Sequence, residues 1–247
     1  MDTGQVSWET YAAVLFDLDG VVTPTAVVHM RAWSEMFNAY LQEKDPSQAP
    51  YTDQDYYAYV DGKPRYDGVR DFLAARGLSL PEGSPSDPPE AETICGLGNR
   101  KNEAFNEVLA RDGVEAYPGS VVFLDYLRAL GTPLAVVSSS ANAPSVLEAA
   151  GLLDRFTTIV SGTVATEQRL PGKPAPDTFL YAAAQLGADA ADAVVLEDAV
   201  SGVRAGVAGR FGLVVGVDRG AGREALTAAG ASLVVADLAE LVPGGAR

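Results

Sequence analysis

The sequence predicts a doubly wound, Rossmann-like parallel α/β sheet with a helical insertion after its first strand. Three observations predict it. Short apolar, β-branched runs recur along the chain, each followed by a turn and a stretch of helical length. These runs are apolar throughout rather than alternating, the pattern of strands covered on both faces. The rhythm breaks once, over residues 25–112, where helical patterns continue without comparable strand signals.

The expected strands are Ala12–Phe16, Leu134–Val137, Thr158–Val160, Ala193–Leu196, Leu213–Val217 and Leu233–Val235. Between the later ones lie the Ala/Leu-rich stretches Ala143–Ala150, Pro176–Leu186, Val200–Ala208 and Gly222–Ala229, which read as helices. Inside the insertion, Val27–Gln42, Tyr66–Ala75 and Asn99–Ala110 are helix-like, and the Pro/Ser/Gly/Asp-rich pieces Asp45–Pro50 and Pro81–Pro89 punctuate them. Strand–helix alternation of this kind gives a parallel sheet with helices on both faces. The expected organisation is a core domain of residues 1–24 and 113–247 and a helical cap domain of residues 25–112. Long surface loops are the plainer alternative for the insertion.

A chain of 247 residues, 47% of them hydrophobic, has enough apolar material for one large domain or a core with a smaller companion. Its apolar runs stay well below the ~18 residues that span a membrane. Met1–Thr10 lacks the basic and then apolar pattern of a secretory leader. The one cysteine, Cys95, cannot form an internal disulfide and suits a reducing compartment, so a cytoplasmic location is expected. A net charge of −15 argues against a nucleic-acid partner. No interface signature stands out, and a monomer is expected. The same charge means that any phosphate site must overcome the global field locally, with a metal ion and a few placed cations.

Four strand ends carry the chemistry. The first strand runs into Phe16-Asp17-Leu18-Asp19-Gly20-Val21, where carboxylates at i and i+2 can face one side and Gly20 permits a sharp turn. The second ends in Ser138-Ser139-Ser140, presenting hydroxyls and backbone amides before a helix. After the third comes Gly172-Lys173-Pro174-Ala175-Pro176-Asp177, and the fourth ends in Glu197-Asp198. Taken singly these are also an acidic turn, a helix cap, a solvated lysine and an acidic helix start. Taken together, in chain order and each at a strand's carboxyl end, they sit where open α/β sheets bind ligands.

This set resembles the four motifs of the haloacid dehalogenase superfamily, and it covers the chain from Val14 to Ala208. The acid two residues after Asp17 matches the phosphotransferases of that superfamily rather than its dehalogenases. The resemblance implies Asp17 as a nucleophile that becomes an aspartyl-phosphate, and Asp19 as general acid and base. It implies Mg²⁺ held by the Asp17 side chain, the Asp19 carbonyl and Asp198, with Glu197 alongside. Ser138, the Ser139 amide and Lys173 would neutralise the remaining phosphate oxygens.

The insertion is similar to the cap of the β-phosphoglucomutase-like subfamily at Thr25–Trp33, at Asp61-Gly62-Lys63-Pro64-Arg65-Tyr66 and at Asn99-Arg100-Lys101-Asn102, as is Ser138–Pro144 on the core. The similarity implies a small phosphosugar substrate whose second phosphate is held by Arg65, Ser140 and Asn142. Lys101 would line the cleft, and Thr25 and His29 would support Asp19. The chain departs from the subfamily at Ala141 and Asp61, where lysines are usual, and at Pro24, where an acid is usual. Three readings follow: a mutase converting β-glucose 1-phosphate and glucose 6-phosphate, a sugar-phosphate phosphatase, and a catalytically silent binding module on the same fold.

Overall fold

The computed structural model describes residues 6–244; residues 1–5, on which half of the leader reading rests, and 245–247 lie outside the described residues. The chain divides into two compact units, one ending at Pro24 and resuming at Val114, the other Thr25–Gly113.

The first unit is built on six strands: β1 (Ala13–Phe16), β2 (Leu134–Val137), β3 (Thr158–Val160), β4 (Ala193–Glu197), β5 (Leu213–Val217) and β6 (Leu233–Val235). All pairs are parallel, in the order β3-β2-β1-β4-β5-β6. β1 is therefore central, with Leu15 facing Ala135 on one side and Val195 on the other. From β1 the later strands are laid down first on one side and then on the other. The crevice at the carboxyl ends beside β1 is thus a topological switch point, the usual ligand position in such sheets. Every residue of β1, β2, β4 and β5 is buried, which explains their unbroken apolarity. Each expected strand is present; β4 runs one residue further, so that Glu197 lies in the ladder opposite Gly216.

The second unit is helical among its described residues: α1 (Thr25–Lys44), α2 (Asp53–Asp55) running into a π-helical turn (Tyr56–Val60), α3 (Arg65–Ala75) and α4 (Ile94–Asp112). Trp33, Met36, Phe37, Tyr40 and Leu41 form the buried stripe of α1 and pack with Phe72, Leu73 and Leu97 in a separate core. α4 begins five residues before the pattern placed it. Thr93 accepts a hydrogen bond from the Gly96 amide at 2.9 Å, and Gly113, at φ +66, closes the other end.

Back in the first unit follow α5 (Pro118–Ala129), α6 (Ala143–Ala149), α7 (Gly162–Glu167), α8 (Asp177–Gln185), α9 (Val200–Ala208) and α10 (Arg223–Ala229). The pattern reading did not place α5 and α7. α5 nonetheless carries a proline in its first turn and an arginine in its last, both helix-end signals.

Leu15 is fully buried at the centre of the sheet. Leu15→Ala is expected to destabilise the protein by about 2–5 kcal/mol through lost transfer energy and a residual cavity. Urea unfolding checks this: the midpoint should fall with the slope unchanged.

Candidate active site

β1, β2 and β4 deliver their last residues to one place. Pairing continues one step beyond β1, the Asp17 amide donating to the Leu196 carbonyl at 2.9 Å, so the position of Asp17 is fixed by the sheet itself. From the loop before α8, Lys173 reaches in, its side chain 1% exposed. Its ammonium donates to Asp17 Oδ1 at 2.6 Å, to Glu197 Oε1 at 2.5 Å and to the Val137 carbonyl at 2.9 Å. An ammonium has three N–H groups, and all three are used within the protein.

Glu197 is fully buried, and its second oxygen accepts from the Ala199 amide at 3.1 Å. A Cβ at Gly202 of α9 would lie 1.8 Å from Glu197 Oε1, so only glycine leaves room for the carboxylate there. Asp198 is packed just as closely. Gly20, at φ +93, would place a Cβ 1.8 Å from Asp198 Oδ2.

Ser138 is buried at the end of β2, and its hydroxyl donates to Asp19 Oδ2 at 3.3 Å while accepting from the Ser140 amide at 3.1 Å. Ser140 in turn accepts from the Asn142 amide at 3.1 Å. Ser139 stands between them, with its carbonyl pressed against Gly162. Four carboxylates, Asp17, Asp19, Glu197 and Asp198, thus share this end of the sheet with one buried ammonium.

Burial is the main reason that the Asp17 carboxyl is pushed well above the usual carboxylate range; Lys173 opposes this, and Glu197 and Asp19 add to it. For Lys173, burial alone would favour the neutral amine. The Asp17 and Glu197 carboxylates outweigh it and hold the ammonium above its ordinary value. The cluster therefore has a surplus of buried negative charge that a cation would relieve. Ligand oxygens of Asp17, Glu197 and Asp198 lie within 4.8 Å of one another, and an all-oxygen donor set suits a hard divalent ion.

One residue of this unit escaped the sequence reading. Arg219, just past β5, donates from Nε to the Gly20 carbonyl at 3.0 Å and from Nη1 to the Ala236 carbonyl at 2.9 Å. Its guanidinium lies 3.9 Å from the Tyr117 ring centroid. The Tyr117 amide and the Ser120 hydroxyl bond the Val22 and Val21 carbonyls at 3.0 and 2.6 Å. Together these contacts pin the turn after Asp17. The available signal was positional: Asp218-Arg219 ends a strand, as the recognised motifs do.

The remaining candidates belong to the helical unit. Thr25 opens α1 and is buried; His29, one turn on, stacks on Phe105 with ring centroids 4.0 Å apart. His29 Nδ1 bonds the Lys101 ammonium, which also lies over the rings of Trp33 and Phe105 at 5.0 and 5.2 Å. Lys101 is 4% exposed and so belongs to the packing of α1 on α4. Arg65 heads α3, its guanidinium carbon 5.0 Å from the Tyr66 ring centroid. Cys95 is buried with its thiol pushed up, mainly by burial, which fits a core side chain.

A strand-end aspartate, a buried lysine and an acidic cluster fit the class, and the comparisons agree: the chain belongs to the haloacid dehalogenase-like hydrolases, whose family model matches residues 11–209. It is an enzyme of that phosphotransferase class, and within it the chain is β-phosphoglucomutase-like. It is 50% identical over 250 residues to the β-phosphoglucomutase of Mycobacterium bovis, covering 95% of this chain and 92% of that protein. The Bacillus subtilis β-phosphoglucomutase is 33% identical over 206 residues, 83% of each chain. The crystal structure of β-phosphoglucomutase from Clostridium difficile shares the fold, with a TM-score of 0.75 at 24% identity over 94% of this chain and 93% of that one. No helix among the described residues is long and apolar enough to cross a membrane.

Gly20→Ala is expected to displace Asp198 and to weaken divalent-cation binding roughly 10–100-fold, the range for disturbed support of a ligand. Gly77→Ala is the control, because Gly77 also has positive φ, at +68, but nothing lies within 4 Å of its added Cβ. Calorimetric titration of both variants with Mg²⁺ separates steric displacement from backbone strain.

Proposed function

We propose that the chain is a Mg²⁺-dependent phosphosugar mutase of the β-phosphoglucomutase type, converting β-glucose 1-phosphate and glucose 6-phosphate through an aspartyl-phosphate on Asp17. The observation that carries the reading is the triple bonding of Lys173, which holds Asp17 at the switch point beside an acidic cluster. The choice of sugar leans on the 50% identity to the M. bovis enzyme.

In this reading an Asp17 carboxylate oxygen attacks phosphorus, and the bond from phosphorus to the leaving oxygen breaks. Asp19 gives its proton to that oxygen. In the second half-reaction Asp19 takes the proton of an incoming sugar hydroxyl, the hydroxyl oxygen attacks phosphorus, and Asp17 is released. Ser138, within hydrogen-bond reach of Asp19, orients that carboxyl, and Ser138 and the Ser139 amide face the transferred phosphate. Lys173 keeps Asp17 in register and offsets its charge; a phosphate oxygen reaches the ammonium directly only by replacing one of its three bonds.

Asp17, Asp198 and the Asp19 carbonyl would hold Mg²⁺, with Glu197 alongside. When bound, the ion supplies charge neutralisation between the carboxylates and the phosphate dianion. Residues 25–112 would act as a cap on the core of residues 1–24 and 113–247, with Arg65, Ser140 and Asn142 on the sugar's second phosphate. Thr25, His29 and Lys101 would support the hinge and cleft. The single buried cysteine supports a cytoplasmic setting; a monomer acting on a small phosphosugar completes the reading.

A sugar-phosphate phosphatase is the second reading, favoured by one feature. Ala141 and Asp61 supply no positive charge where the mutases usually carry lysines, and a phosphatase has to grip only one phosphate. Paired assays separate the two. Isomerisation of β-glucose 1-phosphate without phosphate release from glucose 6-phosphate or p-nitrophenyl phosphate is the expected outcome. Release from glucose 6-phosphate without isomerisation would establish the phosphatase, and inertness in both would leave a silent module.

Asp17→Asn is expected to keep its far-UV circular dichroism spectrum and lose turnover. Substantial activity in the folded variant would end the nucleophile assignment. Mg²⁺ binding should release protons, because the metal-free Asp17 holds its proton above the usual range, and affinity should rise with pH. The native state binds this proton more tightly than the unfolded chain does. The metal-free protein therefore loses stability as pH rises from about 3.8 towards the raised value, and Mg²⁺ restores it. Titration calorimetry in two buffers of different ionisation enthalpy, with Asp198→Ala as the low-affinity control, tests the linkage.

A further inference from the structure

The reading of Arg65 as the holder of a phosphosugar's second phosphate leaves open how a single guanidinium at a helix start is aimed. Its neighbour Lys63 is paired with Asp71 at 2.7 Å, so the segment's other cation has a partner. Arg65 itself is held by a chain of polar contacts whose direction is fixed at each link. The Asn99 side-chain amide donates from Nδ2 to the carbonyls of Pro85 and Asp87, at 3.1 and 2.8 Å. Two carbonyl acceptors on one side force Asn99 Oδ1 to the other, where it accepts from the Tyr66 hydroxyl at 2.9 Å. With its proton committed to Asn99, the Tyr66 oxygen is left as an acceptor, and Arg65 Nη2 donates to it at 3.3 Å.

Steric fit supports the same arrangement. A Cβ at Gly98 would lie 2.8 Å from Tyr66 Cδ1 and 3.1 Å from Arg65 Cγ, so the missing side chain on α4 is what seats both residues. The carbonyls at the far end belong to the Pro/Ser/Asp-rich segment, which is itself tied down. Asp87 accepts from the Ser84 amide at 3.1 Å and the Thr93 hydroxyl at 2.7 Å.

We propose that Tyr66 and Asn99 are positioning residues for substrate selection, a relay that runs from the Pro85–Asp87 backbone to the Arg65 guanidinium and holds it ready for the second phosphate. Arg65 stacks on the ring of Tyr66 and bonds its hydroxyl, so a planar fork suited to bidentate phosphate contact is preorganised before substrate arrives. The proposal rests on the phosphosugar reading above, and the test is arranged so that the two fail differently.

The experiment compares the second-order rate constant for enzyme phosphorylation by glucose 1,6-bisphosphate with that by p-nitrophenyl phosphate, which has one phosphate. It uses the full-length wild type, Arg65→Ala, Tyr66→Phe and the double variant. Tyr66→Phe keeps the ring and deletes only the hydroxyl, so it should fold. The bisphosphate-to-nitrophenyl ratio should fall roughly three- to tenfold in Tyr66→Phe, the size of one hydrogen bond. It should fall further in Arg65→Ala, and the double variant should match Arg65→Ala alone, because the hydroxyl acts only through the guanidinium. If Arg65→Ala lowers the ratio but Tyr66→Phe does not, or if the two losses add in full, the relay is overturned while the second-phosphate reading stands. If Arg65→Ala leaves the ratio unchanged, the second-phosphate reading itself fails, and the relay with it.

Discussion

Lys173 Nζ lies where the carboxyl ends of β1, β2 and β4 meet, and its three protons go to Asp17, the Val137 carbonyl and Glu197. Two carboxylates and a carbonyl buried without that ammonium would repel one another and carry the full cost of desolvation. With it, the cost of burying Asp17 is partly offset, its orientation is set, and Glu197 becomes a structural counter-ion inside the sheet. The arrangement remains overcharged, and that surplus, on oxygen ligands alone, suits the end of this sheet to a hard cation.

Keeping such a cluster in place requires that the surrounding backbone come unusually close. Gly202 brings the first turn of α9 against Glu197, and Gly20 brings the turn after β1 against Asp198. That turn would be a weak point, since it leaves the sheet at once. It is pinned from two further elements, by Arg219 after β5 and by Tyr117 and Ser120 at the start of α5. Precision at Asp17 and Asp19 is thus supplied by contacts about 100 and 200 residues away in sequence.

The helical unit handles its cations differently. Lys101 is sunk among His29, Trp33 and Phe105, where ring faces and one imidazole nitrogen partner the ammonium. Arg65 is instead held at a helix start by stacking and one hydroxyl. Both charges are restricted in orientation by aromatic rings together with a polar neighbour.

The sheet was legible because its signals are local: strands covered on both faces must be apolar throughout, and Asp17-x-Asp19-Gly20 and Glu197-Asp198 fall at strand ends whatever the packing. Lys173, expected at the end of β3, instead follows α7 in the loop before α8. Helix α7 was not placed because it is six residues long and buries none of them, and α4 was begun late at Asn99 because its first turns carry two glycines. α5 was also not placed, although Phe123, Leu124 and Leu127 give it a legible apolar face. The site's residue types, order and strand-end positions, and with them the family, were determined by the sequence alone. Only the tertiary structure decided that Lys173 spends all three protons inside the protein, that Arg219 holds the turn after Asp17, and that Asn99 reaches Arg65 through Tyr66. Those facts depend on distances between segments far apart in the chain, and a strand or helix pattern carries no information about which side chain of another segment will arrive beside it.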